Sequence, residues 1–265
     1  MIIATLAVLG LIMGSFLDAM VWRMHEGNDF VRSRSRCDHC AHVLAARDLV
    51  PLVSWLASRG RCRYCKAKIS WQHPLIELVT ATVFATSYAW WPFETGDIYG
   101  KALLIGWLVA CVGMIALAVY DLKWMLLPSR IIYPTFFVAL VAQITYIIGK
   151  EPRPWHAAEL LAGSLLVASG FFWLLFMISR GRWIGFGDVR LGFITGTFLA
   201  TPTRSFLMIF FASVAGTILA VPLLSTQGKS LRTRLPYGPF LLAATMVVML
   251  FGQSIIDWYD RVLLG

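Results

Sequence analysis

The sequence predicts an all-α polytopic membrane protein of about eight transmembrane helices, with a small cysteine-rich loop domain between the first and second. Three observations carry that fold class. Of 265 residues, 58% are hydrophobic and only 14% charged, whereas soluble domains carry about a quarter charged residues. Eight apolar runs can be marked, at 2–22, 74–91, 102–120, 131–149, 160–178, 189–200, 205–224 and 240–256, most of them near the roughly 20 residues that a span requires. Finally, lysine and arginine gather in alternate connections, as the positive-inside rule demands of cytoplasmic loops.

Taken in order, run 2–22 has no basic stretch before it and no small-residue cleavage site after it, so it reads as a retained span rather than a signal peptide. Segment 23–73 then holds ten of the 23 basic residues against the acids Glu26, Asp29, Asp38 and Asp48. Arg180 and Arg182 follow the fifth run, and Lys229, Arg232 and Arg234 follow the seventh. Counted alternately, all these fall on one side. The opposite connections, 92–100, 150–159 and 201–204, are short and mixed in charge. The expected topology is therefore a multi-pass protein of the bacterial inner membrane with both termini outside. The expected division is a first span at 1–22, a cytoplasmic loop domain at 23–73 and a transmembrane domain at 74–265. The sixth run has only about 12 residues, too few to span; it either begins as early as Gly187 or is a half-depth helix. The net charge of +9 is then topogenic, with anionic lipid head groups as a further partner. Nucleic acid is not an expected partner, since the basic residues flank spans and form no aromatic-basic motif. Gly10 with Gly14, and Gly192 with Gly196, form small-xxx-small faces for close helix packing.

Four of the five cysteines form two CxxC pairs, Cys37 with Cys40 and Cys62 with Cys65, separated by 21 residues. Two such knuckles can arrange four thiolates around zinc, and with all four positions filled the ion would be structural. Cytoplasmic thiols stay reduced, which argues against two disulfides; a redox pair and a metal-free loop are the alternatives. His39, His42 and His73 are spare ligands expected at the surface. A basic loop of about 50 residues gathers little core, and an ion would supply the missing folding energy. Cys111 lies inside an apolar run and reads as packing.

Ionisable groups in spans are costly and are functional candidates. Asp18, Glu77, Asp121 and Asp188 each fall near the expected cytoplasmic end of a run. Gly185 and Gly187 precede Asp188 and offer unusual backbone geometry or close substrate approach. Pro128 follows Asp121 and ends its helix. Asp188 at a helix N-terminus lies where the dipole favours a carboxylate, and Asp121 near a C-terminus lies where it disfavours one.

Gly185-Phe-Gly-Asp188 resembles the GxGD motif of intramembrane aspartic proteases. Asp121 with the following Leu127-Pro128 resembles the first aspartate of the bacterial prepilin peptidases, or type IV leader peptidases. The likeness runs along nearly the whole chain, through Gly14-Ser-Phe-Leu17, both CxxC pairs, the segment from Asp48 to Leu56, Arg59 to Cys62, Ile69-Ser70, Pro74 to Glu77, and Leu235-Pro-Tyr-Gly-Pro-Phe240. The chain departs at Asp18, where that family commonly carries asparagine.

The resemblance implies an aspartic endopeptidase with Asp121 and Asp188 as the catalytic pair. Its substrates would be prepilins or pseudopilins of type IV pili or type II secretion, cleaved after glycine on the cytoplasmic face. It also implies N-methylation of the new N-terminus by S-adenosylmethionine. No GxGxxG fingerprint locates the donor; the cysteine-rich loop with Asp18 and Glu77 is the candidate region, and Glu77 either binds the substrate amine or satisfies loop backbone. The competing readings are a peptidase without methyl transfer, an ion-coupled transporter, for which intramembrane acids would mark an ion path, and a non-catalytic scaffold.

Overall fold

The structure, a computed structural model, describes residues 1–27, 29, 34–226 and 236–263, the side chains of 222–226 and 263 excepted. Arg32 of the basic loop, Lys229, Arg232 and Arg234 of the charge argument, and Leu235 of the last motif lie outside the described residues. The described residues are helical through the apolar runs, apart from the ends at Trp90, Trp91 and Ala200, and form no strand beyond two isolated bridges. The chain separates into two compact units, Met1–Ala89 and Trp90–Gly265.

In the first unit, α1 (Ile2–His25) packs along α3 (Gln72–Ala89), joined by a loop whose described residues include a 3-10 turn, Ala46–Asp48, and the short helix α2 (Val53–Ala57). The glycine face drives this pairing. A Cβ on Gly10 would stand 2.6 Å from Ala81 Cα, and one on Gly14 would stand 2.7 Å from Glu77 Cα. Backbones this close need small residues at the seam. Helix α3, grouped at first sight with the spans that follow, is thus held by α1.

The second unit contains α4 (Ile98–Trp124), α5 (Ser129–Lys150), α6 (Pro154–Leu165), α7 (Phe171–Ser179), α8 (Phe186–Leu199), α9 (Pro202–Thr226) and α10 (Gly238–Leu263). A single π-helical turn, Leu166–Gly170, joins α6 to α7 without a break. Eight helices thus answer to the eight apolar runs. Among the described residues six are long and apolar enough to cross a membrane: α1, α4, α5, the α6–α7 helix, α9 and α10. The other two, α3 and α8, fall short of that standard.

Helix α8 has 14 residues, and nearly all from Asp188 to Leu199 are buried. It packs against α5, the π turn, α6, α7, α9 and α10, so protein rather than lipid encloses it. The second glycine pair does this work. A Cβ on Gly192 would meet Ser169 Cα at 2.6 Å, and one on Gly196 would meet Ala168 Cβ at 3.1 Å. Ser169 Oγ–H donates to Val189 O at 2.9 Å and Ser164 Oγ–H to Gly196 O at 2.7 Å. Helix α4 is apolar on every face and heavily buried, with Trp107 fully enclosed and set edge-on to Phe198 at 5.0 Å. A helix apolar all round is the expected form for such a position.

Candidate active site

Asp121 and Asp188 both lie in the second unit, and both are buried, at 6% and 9% exposure. Asp121 sits one turn before the end of α4. Met125 closes that helix in the left-handed conformation (φ 53°), its N–H donating to Asp121 O at 2.8 Å. The chain then runs through Leu126 and Leu127 to Pro128, the cap of α5. Asp188 stands in the first turn of α8. It is within electrostatic reach of Asp121 and of the Tyr237 hydroxyl.

A third element completes this corner. The N–H of Gly238, at the start of α10, donates to Asp121 Oδ2 at 3.1 Å. A Cβ on Gly238 would approach the same oxygen to 2.7 Å and Leu191 Cδ1 to 3.3 Å. Leu191 lies three residues after Asp188 and shares its helix face. Gly238, Asp121 and the Asp188 face of α8 therefore converge. Tyr237, just before Gly238, sets its ring edge-on to Phe172 at 5.8 Å. Because Asp121 takes a donor from Gly238, helix ends alone no longer decide which acid rests protonated. The pair is better written as one unit.

The two glycines before Asp188 hold different positions. Neither has positive φ; among the described glycines only Gly27, Gly60 and Gly181 do. Gly185 is the extended cap of α8 (φ −76°, ψ 151°). Gly187 is helical and makes room for Leu127, whose Cδ1 would lie 2.7 Å from an added Cβ. The small residue thus admits the connector from Asp121. Sequence reasoning quoted Gly238 and Leu127 within motifs but gave them no role. A glycine–proline step opening an apolar run was the available signal.

Asp18 and Glu77 meet in the first unit, on α1 and α3. Gln72 Nε2 donates to Asp18 Oδ1 at 3.0 Å, and His73 Nδ1 pairs with Asp18 Oδ2. Glu77 Oε2 accepts Leu52 N–H at 2.8 Å, and Ser15 also hydrogen-bonds to this carboxylate. Leu52 has φ 58° and ψ −50°, a costly conformation for a non-glycine residue, and Glu77 holds it. The bond to Leu52 N–H is of the kind in which Glu77 satisfies loop backbone.

The four cysteines gather with their Sγ atoms all within 4.8 Å of one another. Cys37 and Cys65 Sγ stand 3.8 Å apart; thiolates about 2.3 Å from one tetrahedral ion have about this separation. The knuckles repeat each other. The bridge Arg36 to Val43 flanks the first, and Arg61 to Lys68 flanks the second. Cys37 N donates to His42 O and Cys62 N to Ala67 O, while Ala41 and Lys66 take positive φ. The Cys65 and Tyr64 amides pull the Cys62 thiol down to about 7. Although the Ala67 amide acts the other way, burial and the neighbouring thiols raise Cys65 to about 11. Such a set fits a cation, and the cluster could hold one metal ion. Asp48 buttresses the second knuckle, accepting from Tyr64 Oη at 3.0 Å and pairing with Arg63 Nε at 3.1 Å. His42 lies against the Tyr64 ring at 3.6 Å, and among the described residues the ligand cluster consists of the four cysteines, without His39, His42 or His73.

Helices long and apolar enough to cross a membrane, with two buried acids at the ends of apolar helices, define the class as a helical membrane protein. Residues 8–91 match the bacterial peptidase A24 N-terminal domain, and residues 108–221 match the type IV leader peptidase family. A prepilin leader peptidase/N-methyltransferase of Stutzerimonas stutzeri is 30% identical, with 95% of this chain and 91% of that protein covered. One of Bacillus subtilis is 30% identical over 99% of this chain and 100% of its own length. A type 4 prepilin-like proteins leader peptide-processing enzyme of Escherichia coli is 32% identical, with 88% and 87% covered. No solved structure matches. The chain belongs to the type IV leader peptidase family.

Proposed function

We propose that this protein is a prepilin leader peptidase of the bacterial inner membrane. Asp121 and Asp188 hydrolyse the bond between a short basic leader and the apolar helix of a prepilin or pseudopilin, at the cytoplasmic face. Two neighbouring carboxyls share one proton, because like charges close together do not both ionise readily. The ionised member takes a proton from water. The neutral member hydrogen-bonds the scissile carbonyl, and the water oxygen adds to its carbon. The amine then leaves carrying a proton. The observation that supports this reading is two buried acids on separate helices within electrostatic reach of each other, one of them bonded to the Gly238 amide. The basic loops support the cytoplasmic placement and two outside termini.

The freed amine is then N-methylated with S-adenosylmethionine as methyl donor, an activity named for the relatives and assigned here to the first unit. Asp18 and Glu77 support that site by holding His73 and the Leu52 turn in place. Cys37, Cys40, Cys62 and Cys65 hold a structural zinc, which would supply folding energy to the loop and take no part in bond making.

The test is incubation of the purified protein with a prepilin and labelled S-adenosylmethionine. Wild type releases the leader and labels the new N-terminus. Asp121→Asn and Asp188→Asn leave the leader attached but label a pilin already cleaved. Cleavage by both variants overturns the aspartate mechanism, and cleavage without label leaves a peptidase alone.

A further inference from the structure

We propose that Arg190 is a positioning residue for the aspartate pair, tying the N-terminal part of α8 to the first residue of α5 and so fixing where Asp188 stands relative to Asp121. The proposal rests on the peptidase reading above. Arg190 follows Asp188 by two residues, so the two side chains leave α8 on different faces. The guanidinium lies over the Phe186 ring, 5.4 Å from its centre, and Nη1 donates to Ser129 Oγ. Its Nε–H is enclosed and has no acceptor among the described residues. An enclosed donor without a partner is costly, so what this side chain contributes is the bond to Ser129.

The connector is gripped from two sides. Leu127 fills the space left by Gly187, and Ser129, two residues on, is held by Arg190. Pro128 between them has its φ fixed by its ring. In the other direction, the left-handed Met125 corner is bonded back to Asp121 O. A short and stiff path therefore leads from Arg190 to the segment that carries Asp121. Loss of the tie lets the two helix ends drift, and a shift of about 1 Å in reacting geometry costs about a hundredfold in rate.

The experiment measures kcat and KM for prepilin cleavage across pH, using the full-length wild type, Arg190→Met, Arg190→Lys, Ser129→Ala and the Arg190→Met/Ser129→Ala double variant. The expected result is a kcat loss of about ten- to a hundredfold in Arg190→Met, with KM little changed. Ser129→Ala loses kcat in the same direction, the double variant is no worse than Arg190→Met, and Arg190→Lys recovers most of the rate. All keep the wild-type pH profile. Wild-type kcat in both Arg190→Met and Ser129→Ala overturns the proposal. So does a multiplicative double variant, or a pH profile moved by Arg190→Met and not by Ser129→Ala, which would assign the effect to charge. Thermal unfolding in detergent shows whether Arg190→Met folds; if it does not, Ser129→Ala and Arg190→Lys decide. A wild-type protein that cleaves no prepilin overturns the peptidase reading, and this inference with it.

Discussion

Gly238→Ala is the sharpest single perturbation of the site. The added methyl would stand 2.7 Å from Asp121 Oδ2 and 3.3 Å from Leu191 Cδ1, against ordinary non-bonded separations of about 3.5 Å. The carboxylate must therefore retreat by roughly half an ångström or more, and its bond from the Gly238 amide lengthens or breaks. Productive geometry tolerates only about 0.5 Å, so kcat should fall about tenfold or more, toward the hundredfold cost of a 1 Å displacement. Stability should move little, because Gly238 has no positive φ and alanine is the better helix former by about 1 kcal/mol. Cleavage of a prepilin by the reconstituted protein gives kcat, and thermal unfolding gives stability. Unchanged turnover in a folded Gly238→Ala protein would refute the placement of this amide beside the reacting acids.

Gly14→Val should pry α1 from α3, since even the first added carbon would lie 2.7 Å from Glu77 Cα and 3.1 Å from Thr80 Oγ1; a loss of about 1–3 kcal/mol is expected in unfolding, and a wild-type midpoint would contradict it. Elemental analysis should find one zinc per chain, and Cys62→Ser should lower that occupancy and speed proteolysis within the 34–71 loop; an unchanged digestion rate after metal loss would remove the ion's structural role. Burial tends to raise the Asp48 carboxyl, but the Tyr64 hydroxyl, the Ala45 amide, Arg63 and Arg47 together hold it below its ordinary value of 3.8. A depressed carboxyl gives stability that is present above the unfolded value and lost as pH falls through the folded one. The wild type's advantage over Asp48→Asn should thus hold at neutral pH and shrink below about pH 4; an advantage independent of pH would assign it to packing.

Much of this arrangement was legible in the chain. All eight apolar runs became helices, and both glycine pairs became close seams, because hydropathy and small-residue spacing encode those features directly. The paired CxxC knuckles were equally legible, since fixed spacing and mirrored flanks leave few other geometries. What stayed hidden depends on faces. Helix α4 is apolar all round, so its periodicity could not say that Asp121 looks toward Gly238, 117 residues away. The π turn at Leu166–Gly170 has no sequence signature, yet it forms the bed for Gly192. The glycines before Asp188 read as room for backbone geometry and close substrate approach; that Gly187 admits Leu127 is a tertiary fact that no motif carries. Asp18 read as a departure from an expected asparagine, and its pairing with His73, 55 residues on, could not be seen until α1 and α3 were laid together.

The central claim is that Asp121 and Asp188 act as one catalytic unit. The measurement that meets it most directly is single-turnover prepilin cleavage by Asp121→Asn, Asp188→Asn and the double variant. Residues acting together lose their effects non-additively, so all three rates should fall to about the same floor. A double variant whose loss is the product of two independent losses, or a single variant with wild-type turnover, would contradict the account.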